Sequence, residues 1–144
     1  LNAPMSPHAA AELEGIELSI DKIELPKSEK TIVVEGAGGV LVPFNSTETY
    51  LDLMINLNLP VALVTRHYLG SINHTMLSWK VLKEAGLNVV ALVISGKAHQ
   101  STENYFATQM DVPFIRIHEL EDVSLKTIAE EAERLKSSIK ALVG

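Results

Sequence analysis

Val33-Val-Glu-Gly-Ala-Gly-Gly-Val-Leu-Val-Pro43 is the stretch that decides the fold, because a β-branched run ends here in a carboxylate and enters a glycine-rich turn. The run begins at Thr31 and is apolar on both faces, which is typical of a parallel strand covered by helices on both sides. Ligands of open parallel sheets bind beyond the carboxyl ends of the strands. We therefore predict a strand over residues 31–35 that leads into a ligand-binding turn.

Three similar apolar runs follow this strand, at residues 60–65, 88–94 and 112–117. Each is again apolar on both faces, so each is predicted to be a buried parallel strand. Four strands are few for a doubly wound sheet. We therefore expect one or more leading strands upstream of Leu1.

Helical patterns lie around these strands. Residues 49–57 and 73–85 place their apolar residues on one face, and Gly86 suits the end of the second helix. The clearest amphipathic pattern runs from Leu125 to Leu142, after Asp122 and Ser124 as possible caps. Alternating strands and helices predict right-handed βαβ units. The fold class is therefore α/β, with three layers, a mainly parallel sheet and helices on both faces, in a single domain over residues 1–144.

Composition excludes several classes of function. The 144 residues carry 12 Lys+Arg against 18 Asp+Glu, a net charge of −6, which argues against a nucleic-acid partner. With 47% apolar and 21% charged residues, the chain has the composition of a globular protein. The absence of cysteine excludes disulfides, thiolate metal sites and cysteine nucleophiles. No apolar run reaches the ~20 residues of a membrane span and no signal peptide is evident, so we expect no membrane partner.

The predicted turn after the first strand could bind a metal and an anion. Glu35 at the strand end can hold a hard cation, and Mg²⁺ typically pairs one or two carboxylates with phosphate oxygens. Gly36, Gly38 and Gly39 allow close approach of backbone N–H groups to an anion. The simpler alternative is a solvated carboxylate beside a tight turn. No Gly-Lys-Ser or Gly-Lys-Thr follows, so the turn is not a Walker A loop.

A second candidate segment, Tyr68-Leu-Gly-Ser-Ile-Asn-His-Thr75, follows the second strand and opens a helix. The free N–H groups of a helix start attract anions. Asn73 either caps the helix or binds a ligand carboxylate, and the cap is the simpler interpretation. His67 and His74 are interpreted as surface or packing residues, because no partner stands at zinc-ligand spacing.

Four other residues are predicted to pack in the fold, to face solvent or to lie near a site. His8 and Trp79 are predicted to pack inside the fold, whereas Tyr105 faces either solvent or a pocket. Ser95 ends the third predicted strand and therefore lies on the binding edge of the sheet.

Taken together and in this order, several motifs resemble those of the dethiobiotin synthetase family. They are Ala3-Pro-Met-Ser-Pro-His8, Val34-Glu-Gly-Ala-Gly-Gly39 with Pro43 after it, Leu59-Pro-Val61 and Leu69-Gly-Ser-Ile-Asn-His74. The resemblance extends over nearly the whole chain to about Ile94 and is looser beyond it. Singly these motifs are weak, but as a set they are specific.

The resemblance implies a P-loop-containing α/β fold and a cytoplasmic homodimer. It implies an ATP-dependent ligase that converts 7,8-diaminononanoate and CO₂ or bicarbonate into dethiobiotin, in biotin biosynthesis, with Mg²⁺ as cofactor and ATP as co-substrate. A carbamate on the diamine is phosphorylated by ATP and closes to the ring with loss of phosphate. The catalytic lysines of the family are expected upstream of Leu1, together with its Gly-Lys-Thr loop.

The resemblance also implies roles for residues of this chain. Glu35 would bind the metal and, with Gly38 and Ser95, the nucleotide. Ser95 stands where the family has a purine-reading asparagine, which predicts relaxed nucleotide selectivity because a hydroxyl cannot pair as an amide does. Tyr105 would match a substrate-contacting tyrosine. The substrate would be bordered by two segments, the second of which reaches its carboxylate across the dimer interface: Gly36, Ala37, Gly38 and Gly39, and Gly70, Ser71, Ile72 and Asn73.

Two alternatives of different classes remain open from the sequence. The chain could be a non-catalytic dimerising or ligand-binding remnant of the same fold. It could also belong to a related P-loop amidoligase or ATPase, although a helix start shaped for a small carboxylate favours the synthetase.

Overall fold

The computed structural model of the protein describes residues 1–143, and Gly144 lies outside the described residues. The chain forms two compact units, an N-terminal unit, Leu1–Leu59, and a C-terminal unit that begins at Pro60. The prediction of a single domain over residues 1–144 stays a prediction. Each unit is described by itself.

The N-terminal unit contains two helices and much irregular chain. Helix α1 spans Pro7–Glu14, a 3₁₀ turn spans Ile20–Lys22, and helix α2 spans Tyr50–Leu57. At the start of α2 the Asp52 carboxylate accepts hydrogen bonds from the backbone N–H and hydroxyl of Thr49, both at 2.7 Å. The Thr49 hydroxyl and N–H lower the pKa of Asp52, in that order of importance. These bonds fix the beginning of the helix and confirm the predicted helix at 49–57.

The predicted strand over residues 31–35 is wrong. Residues 31–36 are not in a strand, and Val33 is 89% exposed. A strand needs neighbouring backbones to accept and donate its hydrogen bonds. Among residues 1–143, no other strand pairs with this segment. The apolar pattern of residues 31–35 therefore did not predict their local structure.

The C-terminal unit is built on a parallel sheet of three strands in the order β1-β2-β3. These are β1 (Val61–Arg66), β2 (Val89–Ser95) and β3 (Phe114–Ile117). They confirm the second, third and fourth predicted strands. Register places Thr65 beside Ile94 and Val93 beside Ile115.

Helices cover both faces of this sheet, as the sequence predicts. The elements are α3 (Ser71–Glu84), α4 (Gln100–Gln109) and α5 (Leu125–Val143). On one face the Thr65 hydroxyl of β1 lies 2.7 Å from the Thr75 hydroxyl of α3. On the other face Leu135 of α5 packs with Ala91 and Ile115. The described fold is therefore α/β with a parallel sheet between helical layers.

The covering is complete over β2 but not over β1. Ala91 and Leu92 lie on opposite faces of β2 and are both 0% exposed, whereas Val64 of β1 is 64% exposed. The prediction that every strand is buried on both faces is therefore wrong for β1, because α5 packs on β3 and β2 and leaves that face of β1 uncovered. Within the part of the chain that the structure describes, β1 pairs with β2 alone.

Helix boundaries differ from the predictions in two places. Helix α3 begins at Ser71 rather than at Asn73, with Gly70 before it at φ +97°. Helix α4 was not predicted, since its polar sequence has only a thin apolar stripe. Thr102 and Phe106 form that stripe and are buried. At the start of α5, Ser124 and Thr127 exchange backbone-to-hydroxyl hydrogen bonds at 3.0 and 3.4 Å, which confirms Ser124 as its cap.

Candidate functional site

The glycine-rich turn of the N-terminal unit contains two glycines that the fold requires. Gly38 has φ +86°, and a Cβ on it would lie 2.8 Å from Val42 Cγ2. A Cβ on Gly36 would lie 3.0 Å from the ring of Tyr50. Gly39 differs, because a Cβ there would meet nothing within 4 Å. The backbone of Gly39 instead accepts a hydrogen bond from the Val42 N–H at 3.0 Å. This is a tight turn whose shape depends on Gly38.

Glu35 is exposed directly before this turn, and Ala37 is exposed within it. A single exposed carboxylate offers hard oxygen ligands of the kind Mg²⁺ takes, with remaining positions filled by phosphate oxygens and water. No group of three His, Asp or Glu side chains that could hold a metal occurs among the described residues. The donor chemistry of Glu35 fits a magnesium ion that is bound largely by its phosphate ligand.

The C-terminal unit holds a pocket of about 830 Å³ at the carboxyl edge of its sheet. One wall is the segment between β1 and α3 with the first turns of α3. The other wall is the first half of α4. The pocket therefore lies where ligands bind in open parallel sheets. Its lining residues are His67, Tyr68, Leu69, Gly70, Ser71, Ile72, Asn73, Met76, His99, Thr102 and Tyr105.

The start of α3 supplies the polar part of the first wall. The N–H groups of the first helical turn have no carbonyl within the helix to bond to, and the helix dipole adds positive potential there. The Ser71 N–H donates to the Tyr68 carbonyl at 3.0 Å, and the first helical bond runs from the His74 N–H to the Gly70 carbonyl at 3.1 Å. Ile72 and Asn73, whose N–H groups come between these two bonds in the chain, are residues of the pocket wall.

The structure brings together one predicted set of site residues. Gly70, Ser71, Ile72 and Asn73 line the same pocket as Tyr105. Asn73 lies in the first turn of α3 and is exposed, so its interpretation as the N-cap is wrong. The cap position is Gly70, whose positive φ turns the chain into the helix. Asn73 is thereby left free to meet a ligand.

Ser95 lies outside the lining of this pocket. It is the last residue of β2 and is half-buried, and Gly96 follows it with φ +90°. A Cβ on Gly96 would lie 3.5 Å from Arg66 Nε. Arg66 in turn donates to Glu119 at 2.8 Å. Ser95 therefore lies beside a charged pair at the carboxyl edge of the sheet.

Sequence reasoning missed a polar cluster behind the pocket, centred on Glu103 of α4. Its Oε1 lies 3.0 Å from His67 Nε2 and accepts the His99 N–H at 2.8 Å. Arg116 of β3 forms an ion pair with the same oxygen and donates to the Gly96 carbonyl at 3.1 Å. His99 and Glu103 are four residues apart, but His67 and Arg116 are distant from them in sequence, so no spacing pattern predicts the whole cluster. The interpretation of His67 as a surface or packing residue did not include its contact with Glu103.

The cluster holds Glu103 ionised. Burial is the largest single influence and favours its neutral form. The hydrogen bonds from Arg116, the His99 N–H and His67 together outweigh burial and lower the pKa of Glu103 to about 2. A carboxylate so strongly bonded keeps one charge state and one position over the physiological pH range.

Two residues that the sequence predicted to pack do so. Trp79 is 6% exposed and has Lys83 Nζ at 5.3 Å from its ring centroid. The Nδ1 atom of His8 is buried in the N-terminal unit. His74 is exposed, and its Nδ1 lies 2.8 Å from the Tyr68 hydroxyl. This exposed pair flanks the start of α3.

Comparison with known proteins identifies relatives over most of the chain. The family described as an AAA domain matches residues 1–127. An ATP-dependent dethiobiotin synthetase BioD from Christiangramia forsetii is 53% identical over 103 residues, which are 72% of this chain and 49% of that protein. Proteins of the same name from Lawsonia intracellularis and Rhodopseudomonas palustris (strain BisB18) are 48% and 39% identical. Those matches cover 67% and 72% of this chain and 47% and 50% of the relatives.

The chain thus spans about half the length of the curated relatives it matches. Among the described residues, no helix has both the length and the apolar composition that a membrane crossing requires.

Proposed function

Since this chain belongs to the AAA domain family, we propose that it forms part of an ATP-dependent dethiobiotin synthetase. The observation that carries the proposal is the 53% identity over 103 residues to a protein of that name. The reaction joins CO₂ to 7,8-diaminononanoate as a carbamate, transfers the γ-phosphoryl group of ATP to it, and closes the ureido ring as phosphate leaves. We propose further that the enzyme is a cytoplasmic homodimer.

The pocket of the C-terminal unit suits the carboxylate end of such a substrate. The first-turn N–H groups of Ile72 and Asn73 would donate to the carboxylate, and the dipole of α3 favours its negative charge. The Asn73 side chain can donate a further hydrogen bond. Ile72 and Met76 supply apolar surface along which an alkyl chain would lie. Tyr105 faces this surface from the opposite wall and would limit the length of that chain.

The glycine-rich turn of the N-terminal unit suits the phosphate region. Backbone N–H groups in a turn that contains a positive φ can be directed together at an anion. Glu35 would hold Mg²⁺, which neutralises phosphate charge in phosphoryl transfer when it is bound. The turn would leave its backbone accessible to the phosphate and to the diamine, because its residues have small side chains or none. These residues are Gly36, Ala37, Gly38 and Gly39. Ser95 would lie near the nucleotide. Selectivity for the purine base would be relaxed, because a hydroxyl cannot pair with the base as an amide does.

The first experiment supplies the purified native protein with ATP, Mg²⁺, bicarbonate and 7,8-diaminononanoate. Dethiobiotin is measured by mass spectrometry and phosphate by a colorimetric assay. We expect both products with all four components and neither product when the diamine or ATP is omitted. Phosphate release without dethiobiotin would favour a related ATPase. A protein inert with all four components present would refute the proposal.

A pair of variants then tests the carboxylate site. Asn73→Asp places a negative charge at the start of α3 and is expected to raise the KM for the diamine about tenfold or more, by charge repulsion. Asn104→Asp is the matched control, because Asn104 lies outside the pocket and only accepts a bond from Gln100 at 2.7 Å. Equal KM values for the two variants would contradict the assigned carboxylate position.

The metal assignment has its own pair. Glu35→Gln is expected to raise the Mg²⁺ concentration needed for half-maximal activity, because an amide binds hard cations more weakly than a carboxylate does. Glu29→Gln changes an exposed carboxylate of the same unit in a preceding turn and serves as its control. An unchanged Mg²⁺ requirement in Glu35→Gln would remove Glu35 from the metal site.

A further inference from the structure

The segment between β1 and α3 forms one wall of the pocket but has few anchors of its own. Leu69 at its tip is fully exposed, and Gly70 takes φ +97°. Tyr68 faces outward, where its hydroxyl meets His74 at 2.8 Å. His67 is the residue of this segment that faces inward, with a side chain only 13% exposed. Besides the bonds between Tyr68 and Ser71, the contact of His67 is therefore the inward bond of this segment.

That inward contact crosses to the opposite wall. His67 Nε2 lies 3.0 Å from the Glu103 carboxylate, and Glu103 projects from α4, the helix that presents His99, Thr102 and Tyr105 to the pocket. The His67 and His99 rings lie together, with centroids 5.7 Å apart. The two walls are thus connected by this hydrogen bond and by the approach of the two rings.

Glu103 is itself held from two further directions. The His99 N–H at the start of α4 donates to it at 2.8 Å, and the Arg116 guanidinium pairs with it from β3. Arg116 also donates to the Gly96 carbonyl, in the turn after β2. The carboxylate therefore ties together the turns that follow β1 and β2, the start of α4 and the strand β3. It is only 17% exposed, so water competes weakly for these contacts.

We propose that Glu103 is a positioning residue, which through His67 holds the segment 67–73 in place and so sets the width of the pocket between α3 and α4. The role is indirect, since Glu103 is absent from the pocket lining. The consequence for catalysis rests on the proposed function, because it assumes that the pocket takes the diamine. The effect of Glu103 on the position of the segment 67–73 does not depend on that assumption.

Hydrogen exchange of the native protein tests the structural part without any substrate. Within residues 67–73, the amides of Tyr68 and Ser71 donate hydrogen bonds, to the Ser71 hydroxyl and to the Tyr68 carbonyl. In Glu103→Ala and in His67→Ala these two amides are expected to exchange roughly tenfold faster, while those of β2 stay protected. Glu133→Ala is the control, because Glu133 is an exposed helical carboxylate paired only with Lys136 at 2.9 Å. Unchanged exchange at 67–73 would overturn the proposal, and so would an equal increase throughout β2.

His67→Ala keeps this test decisive if Glu103→Ala does not fold. It removes the contact from the pocket side and leaves the bonds of Glu103 to Arg116 and to the His99 N–H in place. His67→Gln keeps a donor near the position of Nε2 and is expected to restore slow exchange at 67–73. If His67→Gln exchanged as fast as His67→Ala, the hydrogen bond would not be what holds the segment.

Steady-state kinetics test the functional part. His67→Ala is expected to raise the KM for the diamine roughly tenfold and to change kcat by less than about threefold, because the wall is misplaced while the reacting groups are untouched. The effect of His67→Ala is expected to be smaller in the Glu103→Ala background than in the wild type, because the contact between these two side chains is already lost there. A fall in kcat at constant KM, or additive effects, would contradict the inference.

The two failures are distinguishable. A wild-type protein that makes no dethiobiotin refutes the proposed function, and the exchange experiment still decides the role of Glu103. An active protein whose segment 67–73 ignores both substitutions refutes the positioning role, and the proposed function stands.

Discussion

Replacing Gly38 by alanine is the sharpest test of the glycine-rich turn. Gly38 takes φ +86°, where a Cβ costs roughly 1–2 kcal/mol. The same Cβ would lie 2.8 Å from Val42 Cγ2, so Val42 must also move. Overpacking of this kind costs about 1–3 kcal/mol. Since the valine side chain can relieve part of the clash, we expect Gly38→Ala to lower the free energy of unfolding by about 2–4 kcal/mol.

The neighbouring Gly39 supplies the control. A Cβ there meets nothing within 4 Å and its φ lies outside the left-handed region, so Gly39→Ala is expected to change stability by less than about 1 kcal/mol. The double variant Gly38→Ala/Val42→Ala removes the clash and keeps the backbone strain. Relative to Val42→Ala alone, its loss should therefore fall to about 1–2 kcal/mol.

The assay is urea denaturation of the purified native protein, followed by circular dichroism, because the single tryptophan lies in the C-terminal unit whereas Gly38 lies in the N-terminal unit. Dethiobiotin formation is measured on the same samples, and Gly38→Ala is expected to lose more activity than Gly39→Ala. If the two alanine variants were equally stable, the turn would not need a positive φ at Gly38. The reasoning from the backbone would then be refuted.

Three further predictions concern the C-terminal unit. Leu92→Ala leaves a cavity in β2 and should cost about 3–5 kcal/mol in urea unfolding, against less than about 1 kcal/mol for Val64→Ala on the uncovered face of β1. Thr75→Val leaves the buried Thr65 hydroxyl without its 2.7 Å partner and should cost about 1–3 kcal/mol, part of which Thr65→Val/Thr75→Val recovers. The pKa of Glu103 falls from 4.5 unfolded to about 2 folded, so its contribution is complete above about pH 4.5 and is lost as the pH falls toward 2. The stability of Glu103→Gln should accordingly depend less on pH across that interval.

Each of these has a contradicting outcome. Equal losses in Leu92→Ala and Val64→Ala would mean that β1 is covered in solution. A neutral Thr75→Val would mean that water reaches Thr65. Parallel profiles of stability against pH for the wild type and Glu103→Gln would mean that the hydrogen bonds to Glu103 do not lower its pKa. The pKa of Glu131 is also lowered to about 2, and subtracting one profile from the other removes its contribution.

The sequence predicted the elements whose signal is local. The run Val89–Ser95 is rich in β-branched residues, which favour strands, and it forms β2. The periodic face of residues 125–142 and the cap at Ser124 gave α5. The segment 70–73 was predicted as a binding wall because a helix start after a parallel strand has free N–H groups, and it lines the pocket.

Features that depend on partners in space could not be predicted in this way. Residues 31–35 have the composition of a strand, but a strand also needs neighbours, and none pairs with them among the described residues. Val64 resembles a core residue in sequence, and only the placement of α5 leaves it exposed. Helix α4 has too few apolar residues to be periodic, so its packing onto the sheet through Phe106 had no local signal.

What the sequence by itself determined about this protein is its α/β character and its family resemblance, and the segments proposed to border ligands were also predicted from it, because all of these follow from short-range patterns. The tertiary structure alone decided that Gly38 is indispensable and Gly39 is not, since that depends on where Val42 lies. It alone joined His67, Glu103 and Arg116, which come from the turn after β1, from α4 and from β3. Side chains so far apart in the chain meet only when the sheet aligns the carboxyl ends of its strands, and no spacing along the sequence encodes that meeting.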